Sequence, residues 1–154
     1  MILVYCLDTS ALIEAWVRLY SPDVFPTYWV KLEGAIQRKI LISVDNVLDE
    51  IKMKDDDLQK WAKQQNDLFL PIDEDVQSKV GEIMTAFPKF VDTRPKNMAD
   101  PFVIALAKVK KAVVVTEEKR PGTEKRPTIP FVCNKLQIKY IPILDMIREL
   151  EWSF

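Results

Sequence analysis

Short apolar runs alternate with amphipathic segments along the whole chain. ILVYCL (residues 2–7) is continuously apolar and rich in β-branched and aromatic residues, the pattern of a strand buried on both faces. ILIS (40–43), LFLPI (68–72), AVVVTEE (112–118) and KYIPIL (139–144) read as four further strands. Between them lie segments of helical character: ALIEAWVRLY (11–20), TYWVKLEGAIQRK (27–39), VDNVLDEIKM (44–53), DDLQKWAKQQ (56–65) and residues 74–87. A helix opens within ADPFVIALAK (99–108), and FVCNKLQI (131–138) and DMIRELEW (145–152) complete the set. Strands alternating with helices predict an α/β fold whose central parallel sheet is covered on both faces. In such sheets, sites form at the carboxyl ends of the strands. No repeat or linker divides the 154 residues, which predicts a single domain over 1–154.

Composition narrows the chemistry. Lys+Arg 22 against Asp+Glu 23 gives a net charge of -1, so there is no global basic field and any contact with nucleic acid must be local. Two cysteines, Cys6 and Cys133, make neither a disulfide framework nor a zinc site, and Cys6 reads as a small buried hydrophobe. MILVYCLD reaches an acid too soon for a secretory or membrane-spanning segment, which predicts a cytoplasmic protein without a membrane partner.

The sequence has no histidine. That excludes Ser-His-Asp and Cys-His nucleophilic sites, HExxH zinc sites and imidazole general bases. Neither GxxxxGK nor GxGxxG occurs, and the chain has only 3 glycines. What remains is carboxylates, hydroxyls, Lys, Arg, Tyr, Cys, or a metal held by oxygen.

Four acids stand where sites form. Asp8 follows the first strand and is equally a helix N-cap by type. Asp100 precedes Pro101, as an N-cap precedes a proline at the first helical position, and Phe102, Ala105, Leu106 and Val109 then recur at helical spacing. Glu118 follows Thr116 at the end of the AVVVT run, where a solvated loop charge is the plain alternative. Glu50 lies roughly 110° from the centre of the Val44, Val47, Leu48 and Ile51 stripe, and Asp49 roughly 150°, at about 100° per residue. Glu50 thus borders the buried face, although an exposed helical Glu is the ordinary case. Clustered carboxylates raise one another's pKa unless a cation neutralises them. An oxygen-only acidic site is what Mg²⁺ or Mn²⁺ prefers, and such ions bind and polarise phosphoryl groups.

LDTSALI with Asp8, VLDEI with Glu50, ADPFVIALA with Asp100 and VVVTEE with Glu118 resemble, in order and element type, the acidic quartet of PIN-domain ribonucleases. Within that family the chain is most similar to small prokaryotic proteins related to the VapC-type toxins of toxin–antitoxin pairs. The resemblance implies a three-layer fold with a parallel sheet of order 3-2-1-4-5. It further implies Mg²⁺- or Mn²⁺-dependent hydrolysis of RNA that leaves a 5′-phosphate and a 3′-hydroxyl. Asp8 would be the central ligand, Glu50 and Asp100 its companions and Glu118 the outermost, with Thr9 or Ser10 and Thr116 as orienting hydroxyls. The fourth acid of the family is more often Asp, and neighbouring Glu117 is the other candidate for it. A homodimer and a cognate antitoxin protein are also implied.

Arg94 and Lys96 before Asp100, and Lys119, Arg120, Lys125 and Arg126 after Glu118, are candidate RNA-phosphate contacts, or else scattered charge in solvated loops. Trp16, Trp29, Trp61 and Trp152 sit among apolar neighbours and read as packing residues, and the terminal ELEWSF either docks on the domain or marks a partner surface. Two other readings use the same elements. One is a receiver-like Mg²⁺-binding phosphoacceptor domain, suggested by Thr116, which needs its acceptor after strand three, where Asp73 stands. The other is a non-catalytic PIN-like module that binds proteins.

Overall fold

The computed structural model describes residues 3–90 and 99–154. Five parallel strands, β1 (Tyr5–Leu7), β2 (Leu41–Val44), β3 (Phe69–Leu70), β4 (Val113–Val115) and β5 (Tyr140–Ile141), form a sheet of order β3-β2-β1-β4-β5. Tyr5 pairs with Leu41 on one side and Val113 on the other, so β1 is the centre of the sheet. Successive strand residues point to opposite faces, yet every residue of β1, β2 and β4 is buried. Both faces are therefore covered, as the unbroken apolar runs require. This is the expected α/β architecture and strand order, consistent with a PIN-like fold.

The covering helices are α1 (Thr9–Glu14), α2 (Pro26–Gln37), α3 (Asp45–Lys52), α4 (Asp56–Lys63), α5 (Glu74–Ala86), α6 (Asp100–Lys110), α7 (Ile129–Leu136) and α8 (Ile143–Glu149). The most enclosed is α6, which packs across β1, β2 and β4 and against α5. Its run from Val103 to Ala107 is buried without a break, as expected for a helix enclosed on all sides rather than an amphipathic surface helix. Cys6 lies beneath it and donates to the Val103 carbonyl at 3.6 Å, a buried free thiol in the role expected of it. No helix among the described residues is long and apolar enough to cross a membrane.

Several element ends differ from the sequence expectation, each for a local reason. AVVVTEE is a strand only through Val115, because Thr116 and Ser10 hydroxyls take the N–H groups of Glu118 and Glu117 in place of a ladder partner. KYIPIL stops at Ile141, where Pro142 has no N–H to give, and Ile143 already begins α8. The helix expected over 11–20 starts at Thr9 and runs on from Glu14 as a π-helical turn, Ala15–Leu19. The helix expected over 131–138 starts at Ile129, capped by Thr128, whose hydroxyl accepts the Phe131 N–H at 3.2 Å. Helices α6 and α7 end on left-handed Lys111 (φ 56) and Gln137 (φ 58), positions where glycine is usual.

The tryptophans pack. Trp16, Trp29 and Trp61 meet with ring centroids 4.9–6.2 Å apart. The ELEWSF tail folds back on the same side, with Trp152 and Phe154 at 6.1 and 6.2 Å from Tyr28, although Phe154 stays 56% exposed.

Candidate functional site

Asp8 and Thr116 leave the carboxyl edge of the sheet side by side. The ladder holds their backbones one step past the strands, with Asp8 N–H donating to Val115 O at 3.1 Å and Thr116 N–H to Ile141 O at 3.0 Å. Thr116 Oγ1 donates to Asp8 Oδ2 at 2.5 Å, and Ser10 Oγ donates to the Asp8 carboxylate at 2.8 Å from Oδ1. Each hydroxyl is oriented in turn by a backbone N–H: Glu118 to Thr116 at 3.1 Å, and Glu117 to Ser10 at 3.0 Å. Asp8 Oδ1 also accepts the Ala11 N–H at 2.8 Å, so the residue caps α1 as well as facing the cleft.

Glu50 is buried outright rather than bordering the buried face, while Asp49 is exposed. Its Oε1 accepts from Thr9 Oγ1 at 2.7 Å and its Oε2 from the Ala99 N–H at 3.4 Å. The expected cap at Asp100 is corrected by that second bond. Ala99 is the N-cap of α6 and Asp100 is already helical, with no cap bond from its carboxylate among the described residues. Glu50, reaching over from α3, takes one of the N–H groups at that helix entry, and Asp100 lines the cleft.

Asp8, Glu50, Asp100 and Glu118 line one cleft of about 410 Å³, with Lys54, Lys119 and Arg120 also on its wall. Glu118 accepts from Arg120 Nη2 at 3.5 Å and from the Ile129 N–H at 3.4 Å. Glu117 also borders the cleft, but its carboxylate accepts the Ile143 N–H at 2.8 Å, anchoring the start of α8.

Burial pushes the Asp8 carboxyl up to about 6, against the hydrogen bonds from Thr116, Ala11 and Ser10, and the charge of Glu118 adds to the rise. Asp100 is held well above the usual carboxylate range by burial, then by the charges of Asp8, Glu118 and Glu50, with Lys54 opposing. Burial also raises Glu50, against its bonds from Thr9 and Ala99. Mutual repulsion of this kind is what a bound cation relieves.

The donor set is oxygen only, which suits a hard divalent ion. As placed, however, no three acids among the described residues are gathered closely enough to hold one ion. An ion would compete with the bonds that now hold three of these carboxylates: Thr116 and Ser10 on Asp8, Thr9 on Glu50, and Arg120 on Glu118. The donor chemistry fits such an ion.

A family model described as "Domain of unknown function (DUF4411)" matches residues 5–154. The chain belongs to that family. No curated protein sequence matches it. Among solved structures it is similar to a chain in the crystal structure of VapBC2 from Rickettsia felis bound to a DNA fragment from their promoter. The TM-score is 0.54 and the identity 15%, over 91% of this chain and 98% of that chain. At that identity the likeness establishes a shared fold.

Within this DUF4411 domain the strand order also disposes of the receiver-like reading. A receiver sheet runs 2-1-3-4-5, with the phosphoacceptor at the switch point beside its central third strand. Here β3 is an edge strand, and Asp73 after it is exposed and caps α5 by accepting the Val76 N–H at 2.9 Å.

Of the candidate cations, Lys119 and Arg120 reach the acidic cleft, while Lys125 and Arg126 line an adjoining pocket. Arg94 and Lys96 lie outside the described residues. Sequence reading did not single out Lys54 or Lys89. Lys54 carried a signal, standing four residues after Glu50 as a helical ion-pair partner does. Lys89 carried none.

Proposed function

We propose that this chain is a Mg²⁺- or Mn²⁺-dependent endoribonuclease acting as the toxin-like component of a toxin–antitoxin pair. One observation carries the reading. Four acids from four separate segments line a single cleft at the carboxyl edge of the sheet, and one of them, Asp100, feels the charges of the other three. The resemblance of their sequence contexts to the PIN quartet and the fold shared with a chain of VapBC2 support it.

Asp8, Glu50, Asp100 and Glu118 would hold the ion, which when bound neutralises the phosphodiester and polarises its oxygens. The protein's own residues prepare that task. Thr116 and Ser10 fix the plane of the Asp8 carboxylate, and their own orientation is set by two backbone N–H groups. Thr9 fixes Glu50. Lys54, Lys119 and Arg120 on the wall draw an anionic strand toward a cleft that also holds four clustered acids. A homodimer and an antitoxin protein that covers the acidic cleft with a basic side chain belong to the same proposal.

The test is cleavage of total cellular RNA with Mn²⁺ or Mg²⁺ by the wild type and by Asp8→Asn, which keeps the cap on α1. The expected result is metal-dependent cleavage giving 5′-phosphate ends, reduced about 100-fold or more in the variant, as removal of one electrostatic contact to the reacting group typically costs. Cleavage by Asp8→Asn at the wild-type rate sinks the quartet.

One observation favours a second reading, the non-catalytic module: Asp8, Glu50 and Glu118 are held by internal bonds, and no three acids are gathered among the described residues. Saturation with Mn²⁺ without cleavage of any RNA would select it.

A further inference from the structure

We propose that the chain binds a small organic anion, a carboxylate carried on an apolar body, in a pocket at the amino edge of the sheet. This edge is opposite the acidic cleft, and the inference goes beyond the nuclease reading and does not rest on it.

The pocket encloses about 380 Å³ between the segments that enter β1 and β2, the short strand β3 and the end of α6. That volume is at the small end of ligand pockets, about 300–1,000 Å³. Its floor is apolar. Ile42 is the register partner of Cys6 and Leu70 that of Val44, and side chains two apart on a strand share a face. Val4, Ile42 and Leu70 therefore lie on the face that α6 covers above Cys6. Here α6 comes to its end at Lys110, and the hollow opens beside it, with Phe69 on the wall.

Two cations stand over this floor. Lys39 comes from the turn between α2 and β2, and Lys110 from the last turn of α6, against one acid, Asp67. Among the described residues neither lysine is in an ion pair. Lys139, before β5 on the same edge, differs: Glu149 takes up its charge at 2.9 Å. The backbone under Lys39 is fixed. Its N–H donates to Ile36 O at 2.9 Å and the Ile40 N–H to Ala35 O at 3.1 Å, closing the end of α2. Lys39 itself is left-handed, at φ 63, where glycine is usual. Glycine would suit that turn better and leave the pocket with one cation fewer.

Charge and shape together select the ligand class. A lysine at a helix C-terminus offsets the helix dipole wherever it stands. These two do so above an apolar hollow, where a carboxylate gains charge-assisted hydrogen bonds while its apolar body leaves water. An inorganic anion would leave the floor wet, and a neutral apolar molecule would leave both ammonium groups without a partner.

The experiment is calorimetric titration, in EDTA so that no metal ion in the cleft can take the carboxylate, with octanoate, acetate and 1-octanol. The proteins are the wild type, Lys39→Gln/Lys110→Gln, and a control of equal charge change on exposed α4 positions, Lys60→Gln/Lys63→Gln. The wild type and the control are expected to bind one octanoate with a dissociation constant on the order of 0.1 mM. Acetate and 1-octanol should bind at least about tenfold more weakly, as should octanoate to the pocket variant. Lys110→Gln alone gives a milder form with the same expected direction if the double change lowers the melting temperature. Asp8→Asn should bind octanoate as the wild type does, which separates the pocket from the acidic cleft. No saturable octanoate binding, equal affinity in pocket variant and control, or 1-octanol bound as tightly as octanoate overturns the inference and leaves the nuclease reading untouched.

Discussion

Asp8 and Thr116, 108 residues apart, are joined by a hydrogen bond of 2.5 Å across the carboxyl edge of the sheet. Leu7 and Val115 are register partners in adjacent parallel strands, so the next residue of each emerges at the same height. Thr116→Val removes the donor to a buried carboxylate and the acceptor of the Glu118 N–H together. The expected cost is about 1–3 kcal/mol, or a melting temperature lower by roughly 3–10 °C for a chain of this size. Thr116→Ser should recover most of it, and a loss of equal size in both variants in thermal melts would show that the hydroxyl is not the cause.

Ala99, not Asp100, is the N-cap of α6, and among the described residues the Asp100 carboxylate caps nothing, so its charge can be removed without opening the helix. Metal-free Asp100→Asn is expected to melt at or above the wild type at pH 7.5, because the substitution removes a buried charge crowded by three others. Mn²⁺ at about 100 times its dissociation constant should stabilise the wild type by about 2.7 kcal/mol and the variant by little. Equal Mn²⁺ shifts in the two proteins would remove Asp100 from the ligand set.

The same acids set a pH dependence. Asp8 is raised in the folded state to about 6, so the folded protein holds that proton more tightly than the unfolded chain does. The resulting stability is full below the unfolded value near 4 and is lost as pH rises through 6. Asp100 and Glu50, both raised, act in the same direction. The metal-free protein should therefore melt several degrees higher near pH 5 than near pH 7.5. Saturating Mn²⁺ should narrow or reverse the difference, since the ion binds only the ionised carboxylates. Melting temperatures across pH with EDTA and with Mn²⁺ check both halves of the expectation.

Left-handed Lys111 ends α6 with an exposed side chain. A non-glycine residue in that conformation costs about 1 kcal/mol, so Lys111→Gly should raise the melting temperature by roughly 2–4 °C. No change in thermal melts would mean that the lysine side chain contributes as much as its backbone costs.

Gly122 gives the opposite case. Gly122→Ala forces a Cβ to within 2.9 Å of the Thr128 nitrogen, which is backbone and cannot swing away. A loss of about 1–3 kcal/mol is expected from strain at the loop anchor, with the Mn²⁺-induced shift retained because no acid is touched. A melting curve that matches the wild type would show the anchor to be soft.

The sequence carried the sheet well because β1, β2 and β4 are buried on both faces and so appear as unbroken apolar runs. It carried element ends poorly where side chains replaced backbone partners. Thr116 ended β4 by taking an N–H, and Glu50 satisfied the α6 entry from 49 residues away, so Asp100 looked like a cap beside its proline. The four acids were legible because three of them follow or open an element at the sheet edge. Glu50 was the hardest, since helical periodicity placed it beside the core but gave no sign of Thr9, the partner that permits its burial. Missing glycines hid the ends of α6 and α7, where lysine and glutamine took the left-handed positions. Lys89 was invisible because nothing local relates it to the β4–α7 loop it faces.

The central place of β1 also governs when the acidic cleft can form during synthesis. β1 emerges first but needs β4 on its free edge, and β4 begins only at Val113. While the first hundred residues leave the ribosome, Asp8 and Glu50 are present without Thr116 or Glu118, and β1 lacks one of its two neighbours. Pairing across such a separation forms late, because the loop must be closed before the contact can repay it. A nascent chain therefore completes the acidic cleft only after Glu118 has emerged, and a truncated product ending before Val113 carries Asp8, Glu50 and Asp100, three of the four acids, on a sheet that is missing a strand beside its centre.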